Sequence, residues 1–441
     1  MQNKRRRIAL LVATFIAAFG FLTAAEPLFA TATEQVLYSF EGGGAGDGSN
    51  PAAPLIFDAA GNLYGTTLGG GDGGCRNDYG CGTVFELTPV AGGGWTETVL
   101  YSFQGGKDGE EPFSGLIFDA AGNLYGTTGE GGGGCAESGC GTVFELTPVA
   151  GGGWTETVIY SFRGGKDGEG PSSGLIFDAA GNLYGTTGEG GGGGCDGGYG
   201  CGTVFELMPV SGGGWTESVL YSFTGGKNGQ QPAGGLIFDA AGNLYGMTQQ
   251  GGGKGCNNNP CGVVFELTPV SGGKWKQKLL HSFTRKTKDG FEPLGGLIFD
   301  AVGNLYGMTQ YGGGTTCYGG GCGVVFELTP IAHGKWTETI LYAFQRVPDG
   351  ACPRGSLIFD PLGNLYGTTA YGGTKGGSGT AFELTPNQGG GWTETVLYIF
   401  GGKYGRDPLS GLIFDGAGNL YGTALMGGES PAFGVVFEIT P

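Results

Sequence analysis

Histidine is almost missing from this sequence: only His281 and His333 occur. A paired-histidine zinc motif is therefore absent. Charged residues make up only 14% of the chain, and acidic residues outnumber basic ones, 39 to 22. A surface with that bias repels a phosphate backbone, which argues against a nucleic-acid partner. There is no Ser nucleophile elbow, and no Lys-Ser/Thr follows the glycine runs as a phosphate loop requires. Past the N-terminus the chain shows no helical period of useful length and no apolar tail after the last repeat.

Glycine, by contrast, is abundant at 103 residues, beside 20 prolines, 28 phenylalanines and 19 tyrosines. Without a period, so much Gly and Pro would read as low-complexity disorder. Here the glycines sit at repeated places between β-branched and aromatic runs. LIFDAAGNLYGTT or a close variant recurs with its Tyr at Tyr64, Tyr125, Tyr184, Tyr245, Tyr306, Tyr366 and Tyr421. A period of roughly 60 residues means one supersecondary unit copied and stacked.

One unit, residues 115–162, reads as four strands: Gly115–Asp119, Asn123–Thr128, Gly141–Thr147 and Trp154–Phe162. The runs are short, rich in β-branched and aromatic residues, and bounded by Gly and Pro. Asp119 is placed to accept a bond from the backbone two residues on, and Gly122 to take the left-handed conformation of a three-residue hairpin loop. The first strand, Leu-Ile-Phe, is apolar on both faces, which suits a sheet buried between sheets. The expected fold is all-β: a seven-bladed β-propeller with four antiparallel strands per blade. Blades fall at about 52–104, 113–163, 172–224, 233–284, 294–345, 354–400 and 409–441 plus 33–40. The first segment, Glu34–Phe40, is a lone fourth strand, and the chain ends with strands one to three. The N-terminal strand is thus expected to complete the last blade and cover its edge. A β-solenoid is the alternative, but it has no use for such complementary ends.

Residues 1–32 read as a signal peptide: a basic Lys4–Arg7, an apolar stretch from Ile8 to Ala25, and a small-x-small site at Ala30-Thr31-Ala32. The rival is an uncleaved membrane anchor. After cleavage no membrane span is expected, and the protein is secreted, periplasmic or on the cell surface. Ten cysteines pair within their repeats: Cys75/Cys81, Cys135/Cys140, Cys195/Cys201, Cys256/Cys261 and Cys317/Cys322. In an exported chain these read as one local disulfide per repeat. Metal binding is the rival, but each loop offers two Cys and no His where zinc wants four ligands. Cys352 is left over, as a free or intermolecular thiol.

The loops from strand four to one and from two to three share one face, and they are the long ones. Such loops carry binding sites. Asp108, Asp167 and Asp289 belong to a repeated Asp-Gly-x-x-Pro. This is a turn, or else a carboxylate ring near the channel mouth that attracts Ca²⁺ or a cationic ligand. In the loop after strand two the copies disagree: Gly69, Glu130, Glu189, Gln250, Tyr311, Tyr371 and Met426. A position that differs among near-identical units is not needed for the fold and is open to reading a ligand. Tyr311 and Tyr371, on adjacent blades, are placed to stack on a sugar face or an apolar side chain. The six Trp that start strand four are expected to pack between blades.

The phrase Gly-Asn-Leu-Tyr-Gly-Thr-Thr, followed by Gly-Gly and Gly-Thr-Val-Phe-Glu-Leu, resembles the GloVer-type tandem repeat of secreted bacterial proteins across residues 34–441. That family's activity is not established. Its members carry surface anchors, and this chain departs from them in showing no C-terminal one. The Asp-x-x-Gly-Asn-Leu-Tyr hairpin is also similar to NHL-type and gluconolactonase-like propellers, which supports the fold and carries over no catalytic residue. The function expected is a non-enzymatic scaffold binding an extracellular glycan or protein through the long-loop face. The alternative is a propeller enzyme, a lyase, lactonase or hydrolase, with a metal held by loop carboxylates.

Overall fold

A computed structural model describes residues 32–42, 46–75, 79–135, 138–171, 173–195, 198–253, 261–286, 288–314, 317, 320–374, 376–429 and 432–441. The expected signal peptide and Cys256 lie outside the described residues.

Each blade begins with the Asp hairpin. Oδ1 of Asp119 accepts the backbone N–H groups of Ala121 and Asn123, and Oδ2 accepts Asn123 Nδ2 at 2.8 Å. Gly122 closes the three-residue loop at φ 88°, a conformation that glycine adopts without steric cost. The hairpin joins Ile117–Phe118 to Leu124–Thr128, followed outward by Thr142–Pro148 and Trp154–Ser161. The first strand is shorter than its sequence suggests. Leu116 is buried just before it, where seven first strands converge on the axis and pack on each other. At that neck an ideal Cβ on Gly295 would collide with the Gly355 carbonyl.

Within a blade, strand two and strand three meet through a glycine and a phenylalanine. An ideal Cβ on Gly126 would fall 2.5 Å from Phe144 Cζ, so the Gly of NLYGTT makes room for the Phe of TVFEL. The outer strand carries a bulge that the sequence reading missed. Val143 pairs with Tyr160 and Phe144 with Val158, which leaves Ile159 without a partner on strand three. The same register shift recurs in all seven blades. Bulges raise local twist, and here the shift turns Tyr160 toward the next blade.

The core lies between blades. Tyr125, Cys140, Val143 and Phe162 of the second blade pack on Leu175, Leu183, Phe205 and Leu207 of the third. Fully burying each such side chain is worth about 1.5–3 kcal/mol. Tryptophans join these seams as expected: the Trp215 ring lies 6.2 Å from Tyr125 of the preceding blade.

Seven four-stranded sheets form the seven-bladed propeller. The last combines Ile413–Phe414, Leu420–Ala424 and Val435–Thr440 with the N-terminal Thr33–Ser39. Phe40 meets Phe85 edge-on at 5.1 Å, just as Phe103 meets Phe144. The donated strand therefore packs on the first blade as every other outer strand packs on its neighbour. Among the described residues no helix is long and apolar enough to cross a membrane.

Candidate functional site

On the long-loop face the two loops of each blade pair with each other. The pairs are Ser49 with Gly69, Glu110 with Glu130, Glu169 with Glu189, Gln230 with Gln250, Phe291 with Tyr311, Ala351 with Tyr371, and Arg406 with Met426. The variable position singled out from the sequence thus has a variable partner. The two change in concert: two carboxylates in the second and third blades, two amides in the fourth, two aromatics in the fifth. Gln230 Nε2 donates to Gln250 Oε1 at 3.0 Å. The Phe291 and Tyr311 rings lie 5.4 Å apart at 30°, and Arg285 caps Phe291 at 4.5 Å. Burial and the Glu189 charge raise the Glu169 pKa.

The residue after each pair member in the first loop is strained. Asn50, Glu111, Gln231, Glu292, Cys352 and Asp407 have φ between 54° and 58°, and the third blade has Gly170 there. A proline follows each. A non-glycine residue in this conformation costs about 1–3 kcal/mol and persists only where its surroundings over-determine it. Here each N–H donates to a carbonyl of the preceding blade's loop, as Glu111 does to Cys81 and Cys352 does to Cys322. This stitching holds the ring of loops rigid.

The residues after those prolines reach the axis. Ala52, Phe113, Ala233, Leu294, Arg354 and Leu409 ring a cavity of about 540 Å³, with Glu189, Gln231, Gln249 and Gln310 beside them. Seven blades contribute to it, so it is the channel mouth. Phe113 is 46% exposed. Arg354 Nε is buried and has no hydrogen-bond partner. Of the residues expected to bind, Glu189 lies at this mouth. Glu130, Gln250, Tyr311 and Tyr371 occupy the equivalent rim positions on their blades. The Tyr311 ring is partly covered by Phe291.

Asp108, Asp167 and Asp289 lie elsewhere. They sit in seams between outer strands, not as a ring at the mouth. Asp108 accepts the Tyr101 hydroxyl at 2.7 Å and the Gln104 N–H at 2.5 Å, and Asp167 accepts Tyr160 and Arg163 in the same way. Across each seam stands a glutamate of the next outer strand that sequence reasoning overlooked. Burial first, and then the facing Asp47, Asp108, Asp167 and Asp349, push Glu97, Glu156 and Glu217 up to about 7 and Glu394 to about 8. At the next seam both carboxylates are replaced by amides, and Gln277 Nε2 donates to the Asn228 carbonyl at 2.9 Å. A protonated acid and an amide offer similar shapes and donors, so Gln277 stands where the other seams place a glutamate whose protonated form is favoured. The signal was the period-two run Trp-Thr-Glu-Thr-Val, which puts Glu on the same face as the half-buried Trp.

The recurrent strand-three Glu holds the hairpin tyrosine: Tyr125 donates to Glu145 Oε1 at 2.8 Å. Cystines join Cys75 to Cys81, Cys135 to Cys140, Cys195 to Cys201 and Cys317 to Cys322. The expected pairing of Cys256 with Cys261 is not among these cystines, because Cys256 lies outside the described residues. Cys261 itself is disulfide-bonded and fully buried, in the cluster that holds Leu280 and Phe283. Cys352 is free but only 1% exposed, and burial pushes its thiol up to about 11 despite the nearby Arg354. Of the two readings, a free or an intermolecular thiol, the structure has the free one, with the sulfur inside the seam between the fifth and sixth blades.

Two groups of three metal-ligating residues occur among the described residues: Cys135, Cys140 and Glu169, and His281, Asp289 and Glu338. Two atoms of the first are disulfide sulfurs. The second is an outer seam.

None of the curated proteins matches the chain. Among solved structures it is similar to a fungal alcohol oxidase of the AA5 family in complex with copper, at 14% identity, 93% of this chain, 77% of that one and a TM-score of 0.55. It is also similar to an ulvan lyase of polysaccharide lyase family PL25, at 12% identity, 92% and 95% coverage and a TM-score of 0.52. At such identities the likeness shows the fold alone. The sequence itself is more specific. The family model of the Gloeobacter/Verrucomicrobia repeat matches residues 18–195, 133–330 and 257–441, and the chain belongs to the Gloeobacter/Verrucomicrobia repeat family.

Proposed function

We propose that this protein is an exported scaffold that binds an extracellular glycan at the axial mouth of its long-loop face. The observation that carries the reading is the mouth itself. Near-identical blades present there a different set of side chains each: the amides of Gln231, Gln249 and Gln310, the unbonded Nε of Arg354, and the exposed Phe113 ring. Amides and guanidinium bond hydroxyls and ring oxygens, and an aromatic face stacks on a sugar. The paired rim residues Glu110/Glu130, Glu169/Glu189, Gln230/Gln250, Phe291/Tyr311 and Ala351/Tyr371 extend the surface with a changing chemistry around the ring. Local disulfides agree with an oxidising compartment outside the cytoplasm.

Glycan-array binding by the purified protein tests this. Arg354→Gln and Phe113→Ala should each weaken a positive signal about tenfold or more, and Tyr311→Ala with Tyr371→Ala should narrow its specificity. An array with no hits, or hits that survive all four changes, would count against the site. The enzymatic alternative needs a metal held by loop carboxylates at the mouth, and neither ligand group described above lies there.

A further inference from the structure

We propose that His281, Asp289 and Glu338 form a binding site for one divalent transition-type cation, zinc being the best fit, in the seam between the fourth and fifth blades. Nε2 of His281 stands 3.6 Å from Asp289 Oδ1 and 3.5 Å from Glu338 Oε1. All three atoms are buried, and none has a hydrogen-bond partner. Buried polar atoms are nearly always paired. Oε1 is unbonded on the equivalent Glu97, Glu156, Glu217 and Glu394 as well, and so is Oδ1 of Asp349. What sets this seam apart is His281 Nε2, a nitrogen ligand facing two carboxylate oxygens across long ion pairs that leave room for a guest.

The comparison with other seams sharpens this. There a tyrosine occupies the place of His281, and where the facing loop carries an aspartate its hydroxyl bonds it, as Tyr101 does Asp108 at 2.7 Å and Tyr342 does Asp349 at 2.8 Å. The shorter imidazole falls short of that bond and leaves a gap. Donor atoms in a tetrahedron around zinc, each about 2.1 Å from the metal, lie about 3.4 Å apart. The separations of 3.6 and 3.5 Å fit that edge. The ligands are also held from behind. Asp289 Oδ2 accepts the backbone N–H and the hydroxyl of Thr284 at 2.8 and 2.6 Å, which leaves Oδ1 to point at the histidine. The His281 ring is set edge-on against Phe283 at 4.8 Å. Such outer contacts are what orient metal ligands.

The donor set decides the class of ion. A neutral imidazole with two carboxylates balances a charge of +2. Calcium prefers six to eight oxygens and rarely nitrogen, whereas zinc and manganese accept this mixture. Three protein ligands leave a fourth position open toward a cleft of about 540 Å³ lined by Thr284, Lys286, Lys288 and Ile340. Lys286 and Lys288 are the neighbouring positive charges. They oppose the cation and set a limit on its affinity.

The test is titration of untagged, chelator-stripped protein with Zn²⁺ by calorimetry, with Co²⁺ absorption as a spectroscopic probe of nitrogen–oxygen ligation. One equivalent is expected, with a Kd at or below about 1 µM. His281→Tyr installs the residue found at the other six seams, so it should fold with an unchanged Tm and lose binding by about 100-fold or more. Glu338→Gln should weaken binding in the same direction, and His333→Ala, in the exposed opposite turn, should leave it intact. The proposal is overturned by the absence of stoichiometric binding, by binding that survives His281→Tyr, or by a preference for Ca²⁺ over Zn²⁺. Loss of glycan binding plays no part in the readout, so this site stands or falls apart from the mouth.

Discussion

Tyr421 and Phe57 meet edge to face with ring centroids 5.1 Å apart, although they lie near opposite ends of the described chain. The same contact joins Tyr64 to Phe118 and Tyr366 to Phe414. The seam that closes the ring is therefore built like the seams made by consecutive blades, with Phe40 of the donated strand supplying its outer ring.

That equivalence is measurable. Phe40 and Phe162 occupy the same place in different seams, and both are fully buried. Phe40→Ala and Phe162→Ala should each cost about 3–5 kcal/mol, read as similar drops in midpoint on denaturant unfolding. A Phe40→Ala penalty below about 1 kcal/mol would mean that the N-terminal strand does not hold the ring.

Gly126→Ala probes the interior of one blade. The new methyl would collide with Phe144. Overpacking of this kind costs about 1–3 kcal/mol. Adding Phe144→Leu should recover part of the loss, and a neutral Gly126→Ala in thermal unfolding would refute the packing account.

The outer seams make stability fall with rising pH. Glu34, Glu97, Glu156 and Glu217 are held near 7 by burial, and Glu394 near 8, against an ordinary 4.5. Acids raised on folding contribute stability that is complete below about 4.5 and is lost as pH climbs through 7 to 8. The hairpin aspartates act in the opposite sense. Burial works against Asp58, Asp178 and Asp415, but bonds donated by Asn62, Asn182 and Asn419 outweigh it and lower their pKa. Their contribution is present above the ordinary Asp range and lost as pH falls through the lowered values. The Tm should therefore peak near about pH 5 and decline by about 5 °C or more toward pH 8. Glu97→Gln with Glu156→Gln and Glu217→Gln, which copies Gln277, should flatten that decline. A Tm that rises from pH 5 to 8 would contradict the seam chemistry.

Disulfides should matter less than the seams. Cys135 and Cys140 are five residues apart, and closing so short a loop is worth about 2 kcal/mol. Cys135→Ser with Cys140→Ser should lower the Tm by a few degrees and leave the β-sheet circular-dichroism spectrum unchanged. Collapse of the fold would show that the cystine, not the aromatic seam, holds the loop.

Much of this architecture is local, which is why it was legible early. The Asp-x-x-Gly-Asn turn, the strand runs and the matching ends follow from the chemistry of a few neighbouring residues repeated seven times. The number of blades and the donated strand could therefore be counted along the chain. The seams, the mouth and the histidine site could not. Asp108 reads as a turn residue or part of a carboxylate ring, Glu156 carries no local signal of a role, and only blade packing brings them face to face. Glu110 became the partner of Glu130 only when two loops paired. His281 stands where the other outer strands carry tyrosine, and only blade packing sets Asp289 and Glu338 beside it. These relationships join residues from different loops and blades, and their distances depend on how the ring closes. Sequence by itself determined the unit and its repetition, because those are set by local propensity. The tertiary structure decided which side chains share a site, because that is set by packing between units.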